Sequence, residues 1–293
     1  MDNKINIDYV NSITAKEFHD NYVKKGKPVV IKGLMSKWKA LNWDNDYLKS
    51  MASNISLGVK QGDVSEGVLK PVALKDYLNS LNKAKGTSKN NTSDIGYLHD
   101  VPLFYFIPKL IEEVNPFPKE LIPNWYWSNW PNYAQFFIGP KNSITPLHFD
   151  TLGTHNLFFQ VDGEKEFTLV PPEQKKFCYM NSWRWSKFDP NKPDFDTFPL
   201  TKKVTPISVH VQSGDVLYIP PYTLHHVRSL SDSISFNIDW HTSSSARKGV
   251  FSILKGAPIK NGYYNFMLYL GLGLGIPEKY IYPRLKSYMS YVS

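Results

Sequence analysis

Thr145-Pro146-Leu147-His148-Phe149-Asp150 is the stretch of this chain best equipped for chemistry. On a strand, residues two apart point to one face, so His148 and Asp150 can present an imidazole and a carboxylate side by side. A third ligand is available in Gly214-Asp215-Val216-Leu217-Tyr218-Ile219-Pro220-Pro221-Tyr222-Thr223-Leu224-His225-His226, where a turn leads to two adjacent histidines. Two imidazoles and one carboxylate on one face of a metal leave the opposite positions open, the facial arrangement of non-haem Fe(II) oxygenases. Those positions accept a bidentate 2-oxo acid and then dioxygen. A His-x-Asp alone is more often a core pair, and Gly-Asp alone is an ordinary turn. Together, separated by strand-rich sequence, they point to a metal.

Holding such groups in register requires a rigid β scaffold, and the surrounding sequence has that texture. Tyr133–Ile138, Ile144–Phe149, Asn156–Val161, Glu166–Val170, Ile207–Val211, Val216–Ile219 and Ser233–Trp240 are short β-like runs punctuated by Gly and Pro. This spacing predicts a β-sandwich or jelly roll. Pro171–Thr205, with Pro171, Pro172, Pro190, Pro193 and Pro199, reads as an insertion loop over one face. Upstream, Thr14 with Glu17 three residues on predicts a capped helix start. Pro28–Ile31 predicts a buried strand, Asp76–Leu81 part of a helix, and Lys83–Asp94 an exposed polar loop. The chain divides into an N-terminal mixed region (1–130), a β core (131–242) and a C-terminal helical extension (243–293). Tyr263, Tyr264, Phe266, Met267 and Leu270 give the extension an apolar face for packing or for a homodimer.

The 293 residues are 42% hydrophobic and 20% charged, which excludes a disordered chain. One cysteine, Cys178, excludes an intramolecular disulfide and a Cys-built zinc site. The longest apolar run, Phe266–Ile276, is too short to span a bilayer. Met1-Asp2-Asn3-Lys4 has no apolar signal-peptide core behind it, so the expected location is intracellular, cytoplasmic or nuclear. The net charge is +8, and six of those charges belong to the segment from His241 onward. The basic tail therefore describes a partner surface, with RNA as one candidate, more than it describes the reaction.

The motifs resemble the JmjC-type, cupin-like Fe(II)- and 2-oxoglutarate-dependent oxygenases. The branch most similar is that of small hydroxylases, which includes the asparaginyl hydroxylase acting on hypoxia-inducible factor. The likeness covers roughly residues 25–240 and rests on Pro28–Leu34, Trp43–Leu48, Asn156–Pro172 and Gly214–His226. It implies a mainly β fold with flanking helices around a double-stranded β-helix (jelly-roll) core. It also implies His148, Asp150 and His225 as ligands of Fe(II), with His226 on the opposite strand face. Lys165 and Thr145 match the positions that hold the distal carboxylate of 2-oxoglutarate, and Tyr97 matches a third contact. By its position alone, Lys165 reads instead as a solvated lysine at a strand start. Asn156 and Asn237 match positions near the metal-bound end of the cosubstrate. Asp150–Asn156 is two residues longer than in the hydroxylases it resembles. An even insertion keeps the strand phase, with Gly153 absorbing it and His155 a bystander.

The resemblance implies oxidative decarboxylation of 2-oxoglutarate to succinate and carbon dioxide, with dioxygen consumed and a substrate C–H hydroxylated. A protein side chain is the expected acceptor, ahead of a modified tRNA base. Lysine demethylation ranks lower, because nothing here resembles the zinc or histone-reading modules that accompany many demethylases. A catalytically silent cupin serving as a scaffold is the alternative from another class. Trp125–Trp130 is an aromatic cluster that either packs a sub-core or lines a substrate groove.

Overall fold

The structure is a computed structural model that describes residues 7–52, 54–85 and 95–285. Met1–Lys4, most of the polar segment Lys83–Asp94, and Lys286 of the basic tail lie outside the described residues. In chain order the strands are β1 (Asp8–Val10), β2 (Val29–Ile31), β3 (Ser56–Lys60), β4 (Leu69–Ala73), β5 (Leu98–Val101) and β6 (Ala134–Gly139). They continue as β7 (Ile144–His148), β8 (His155–Asp162), β9 (Glu164–Val170), β10 (Ile207–Gln212), β11 (Val216–Ile219), β12 (Leu224–Ser229) and β13 (Ser233–Trp240). A seven-stranded sheet runs β1-β2-β11-β8-β13-β6-β5, and a four-stranded sheet β10-β9-β12-β7 faces it. β3 and β4 form a separate hairpin. Two sheets closed face to face are the expected jelly roll of a mainly β chain with flanking helices.

Strand alternation sorts the interior into layers. Val30, Phe158, Phe167, Leu169, Leu217 and Val227 fill the space between the sheets. On the outer face of the large sheet, Phe136, Phe159, Phe236 and Ile238 meet Phe18, Trp38 and Trp43 from the N-terminal region. The large sheet is thus covered on both sides, which is why β13 is buried at seven of its eight positions. β10 has one solvent face and alternates buried and exposed throughout. Of the cluster Trp125–Trp130, Tyr126 and Trp130 belong to this packing, with Trp130 stacked on Phe117 at 3.8 Å and Trp125 half-buried against the same core, while Trp127 is exposed.

The capped helix start is present at Ala15–Phe18, with Thr14 and Glu17 in a reciprocal capping box. The expected helix near Asp76 runs Leu74–Lys85. Beyond the core, helices Ser243–Val250, Ile259–Leu274 and Glu278–Leu285 form the extension. Tyr264 and Met267 pack inward against Leu152, while Tyr263 and Phe266 face outward. Asn261 and Asn265 donate their side-chain N–H groups to the carbonyls of Thr151 and Leu152, so the extension braces the turn that follows Asp150. Among the described residues, no helix is long and apolar enough to cross a membrane.

β8 and β9 are joined through Gly163, whose φ of +77° is in the region that favours glycine. A Cβ there would meet the Asp232 carbonyl oxygen at 2.1 Å. Gly163→Ala should therefore lower unfolding stability in urea by about 1–3 kcal/mol. Gly67 has a similar φ of +70° but open space around it, so Gly67→Ala should cost less. Equal losses at the two positions would mean that the close approach at Asp232 is not what fixes this turn.

Candidate metal centre and dicarboxylate pocket

His148, on β7, and His225, on β12, are direct cross-strand partners in the small sheet. Their rings lie 4.2 Å apart between centroids, and His225 Nε2 is 3.7 Å from an Asp150 carboxylate oxygen. One ligand atom from each of His148, Asp150 and His225 can be chosen so that all lie within 4.8 Å of one another. The tautomers follow from the hydrogen bonds. His148 Nδ1 is 2.8 Å from the Pro146 carbonyl, and His225 Nδ1 is 3.1 Å from the Thr223 carbonyl. A carbonyl only accepts, so each Nδ1 carries the proton and each Nε2 offers a lone pair. Burial, reinforced by His225 and Arg184, holds His148 well below the usual imidazole range and keeps it in the ligating neutral form. Asn156 donates from Nδ2 to the second Asp150 oxygen at 3.2 Å.

Thr145 is three residues from His148, so strict alternation would put them on opposite faces. A β-bulge solves this: β12 advances from His225 to Val227 while β7 moves from His148 to Thr145. Both side chains therefore line one pocket, together with Asp150, Asn156, Lys165, Tyr97, His225 and Asn237. The pocket encloses about 590 Å³ of space free of atoms, part of it open to solvent. Every residue singled out as a ligand or cosubstrate contact is in its wall.

Lys165 is not a solvated lysine. It is 1% exposed and points between the sheets from β9. Its Nζ donates to the Tyr97 hydroxyl at 3.0 Å and to Ser235 Oγ at 2.9 Å, and it lies 5.3–5.5 Å from the ring centres of Tyr97, Phe137 and Phe158. No carboxylate pairs with it among the described residues. Burial alone pushes its ammonium down to about 7.

His155 takes the other strand face, as its neighbour Asn156 requires. It stacks on Trp240 at 4.3 Å, and its Nδ1 meets the Tyr218 hydroxyl at 2.8 Å. The longer Asp150–Asn156 connection is absorbed in a turn closed by Gly153 N–H to Asp150 O, with Gly153 at φ +68°. His226 faces away from the ligand set, 3.8 Å from Asp189 of the 171–205 segment.

Several wall residues escaped the sequence reading. Asp239 follows Asn237 by two and shares its face; its carboxyl is raised well above the usual range by burial, aided by Asp150 and Asp100. His99 follows Tyr97 by two in the same way. That period-two signal was there to be used. Arg184 comes from the irregular insertion segment, which also pairs Trp185 with His148, and no local pattern announces it.

Comparison with known proteins now bears on this geometry. The family model described as a cupin-like domain matches residues 15–246. The chain belongs to the cupin-like family. Within it, JmjC domain-containing protein D of Dictyostelium discoideum is 32% identical over 247 residues, covering 76% of this chain and 53% of its own length. The 2-oxoglutarate and iron-dependent oxygenase JMJD4 of Gallus gallus is 25% identical over 258 residues, covering 80% and 59%. Lysine-specific demethylase 8 of Danio rerio is 28% identical over 242 residues, covering 78% and 56%. This cupin-like chain thus spans little more than half the length of these three relatives. They carry the JmjC assignment and leave the resemblance to the asparaginyl hydroxylase as an expectation.

Two measurements test the ligand set and the buried cation. Mn(II) or Fe(II) under anaerobic conditions should raise the melting temperature of the native protein and of His155→Ala and His226→Ala. The gain should vanish in His148→Ala and His225→Ala; equal metal response in all four variants would remove the centre. For Lys165, the folded value lies below the unfolded one. The cost of burying its charge is present in full below about pH 7 and is relieved as pH rises toward the unfolded value. Lys165→Met should therefore stabilise the metal-free protein against urea at pH 6, with the gain fading toward pH 10. A gain independent of pH would contradict a buried charged lysine.

Proposed function

We propose that the chain is an Fe(II)- and 2-oxoglutarate-dependent dioxygenase that hydroxylates a protein side chain. The observation that carries the reading is Lys165: a buried ammonium with only neutral partners, in one pocket with three convergent metal-ligand atoms. Two imidazoles and a carboxylate suit Fe(II), and a lone buried cation suits the free carboxylate of a bidentate 2-oxo diacid.

In this reading His148, His225 and Asp150 hold the metal on one face, with their orientation set by Pro146 O, Thr223 O and Asn156. Lys165, Tyr97 and Thr145 take the distal carboxylate, while Asn156 and Asn237 flank the metal-bound end. Phe137, Phe158, Phe167, Ile219 and Val227 complete the wall and exclude water, which strengthens every charge interaction inside. Bound Fe(II), 2-oxoglutarate and dioxygen supply the oxidising chemistry, with succinate and carbon dioxide as co-products.

The acceptor reading rests on a wider groove beside the pocket. It runs from Asp63–Glu66 past Ser143, Ile144, Pro146 and Leu147 to Asn181 and Ser186–Asp189, and shares Tyr97 with the pocket. A groove of this extent suits a polypeptide segment presenting one side chain. Arg184 in the pocket wall disfavours a cationic methyl-lysine and suits a neutral or acidic group. Neither the pocket nor the groove draws on any described residue beyond Asp239, so the basic extension gives no support to an RNA acceptor.

The purified protein should convert 2-oxoglutarate to succinate only with Fe(II) and oxygen, and His148→Ala should fall to background. With a peptide library, a product heavier by one oxygen atom should appear. Metal and 2-oxoglutarate binding without any succinate or oxygenated peptide would favour the silent scaffold.

A further inference from the structure

The helical extension carries a surface that the pocket and the groove do not use. Helix Ile259–Leu274 is apolar on its inner and its outer face. Tyr264, Met267 and Leu268 pack inward, whereas Ile259, Tyr263, Phe266 and Leu274 are 45–85% exposed. Their spacing of four, three and eight residues keeps the exposed side chains on one stripe. A helix that is apolar all round is one whose outer face meets something other than water. Just before it, the turn Phe251–Lys255 ends at Gly256, which has a φ of +89° and open space around it. Leu254 in that turn is 82% exposed. Ile253 lies against the helix, where a Cβ on Gly262 would meet its side chain at 3.1 Å. The turn and the outward stripe therefore adjoin, and Leu254 and Ile259 project from them as a convex apolar knob.

The charge around this knob has one sign. Between Asp239 and Glu278 the sequence holds Arg247, Lys248, Lys255 and Lys260 and no acid. All four basic residues are exposed, and Lys255 and Lys260 directly follow Leu254 and Ile259. Arg247, Lys248 and Lys255 form no ion pair among the described residues. These observations select what covers the knob. A second copy packing symmetrically would lay the patch on itself, with no carboxylate in it to answer the lysines. A partner helix needs a groove, but the knob is convex, and neither the pocket nor the groove of this chain draws on it. A bilayer is soft enough to admit a convex apolar knob, and anionic headgroups answer the lysines beside it. At 16 residues the helix is too short to span a bilayer, so its mode of contact is to lie in the interface plane.

We propose that the extension is an interfacial docking surface for an anionic lipid bilayer. Leu254 and Ile259 enter the acyl boundary, Tyr263 and Phe266 sit at headgroup level, and Lys255 and Lys260 meet the anionic headgroups. Arg247 and Lys248, on the preceding helix, add to the attraction at longer range. The inner face of the docked helix keeps its contacts, with Asn261 and Asn265 still donating to the carbonyls of Thr151 and Leu152. Docking therefore leaves the turn after Asp150 braced. The surface uses no residue of the pocket wall, so the inference stands apart from the 2-oxoglutarate reading.

The test is flotation of the full chain with large unilamellar vesicles of phosphatidylcholine, alone or mixed with phosphatidylserine, at low and at high salt. The native protein should float with the mixed vesicles at low salt, stay behind with phosphatidylcholine alone, and be released by high salt. Lys255→Gln and Lys260→Gln should each weaken binding about fivefold. Leu254→Ser and Ile259→Ser should each weaken it about tenfold. All four side chains are exposed, so the melting temperature of each variant should match that of the native protein. No binding to the mixed vesicles, equal binding to neutral and mixed vesicles, or binding unchanged in Leu254→Ser and Ile259→Ser overturns the inference. So does a native dimer in analytical ultracentrifugation that Ile259→Ser converts to a monomer, which gives the face to a second copy.

Discussion

The structure turns on a charge it buries and does not neutralise. Moving an ammonium out of water costs several kcal/mol even after relaxation. For Lys165 the chain offers in return two hydroxyl acceptors and three aromatic rings, none of them charged. Folding alone would be served by an apolar residue on β9, where Phe167 and Leu169 already face inward. The cation becomes favourable when a carboxylate enters beside it, and the neighbouring pocket wall is built to receive one. Two imidazoles and a carboxylate at the other end then divide the pocket into an anion-seeking pole and a cation-seeking pole.

That division depends on strand phase. Lys165 and Phe167 project between the sheets while Glu164 and Glu166 do not. Ser235, Asn237 and Asp239 project inward from β13, and Phe236 and Ile238 pack outward on the N-terminal layer. One bulge between β7 and β12 brings Thr145 and His148 to a common face. The layers outside the jelly roll serve the same end. The N-terminal region covers the large sheet and supplies Tyr97 and His99, the insertion segment brings Arg184 and Trp185, and the extension pins the turn after Asp150.

Much of this is legible in the sequence. The seven β-like runs between Tyr133 and Trp240 recur as strands within a residue or two at their ends, because each alternates or stays apolar between Gly or Pro breaks. The ligands were legible because His-x-Asp has a meaning only on a strand. The rest depended on distance in sequence. β5 and β12 carry His, Asp or Arg within short apolar stretches, and their partners lie far along the chain. Lys165 looked like a solvent-facing residue because nothing local distinguishes an ammonium between two sheets from one in water. The Lys60–Asp100–His99–Thr145 chain joins three strands through side-chain bonds alone, with Asp100 at an unusual φ of +61°, and no spacing rule reports it.

The most direct measurement of the central claim is an anaerobic crystal structure with Fe(II) and 2-oxoglutarate, the metal located by its anomalous scattering. The account predicts iron bound by His148 Nε2, His225 Nε2 and Asp150, chelated by the 2-oxo acid end, with the distal carboxylate on Lys165 and Thr145. Iron bound elsewhere, or a ligand whose carboxylate lies away from Lys165, would contradict it.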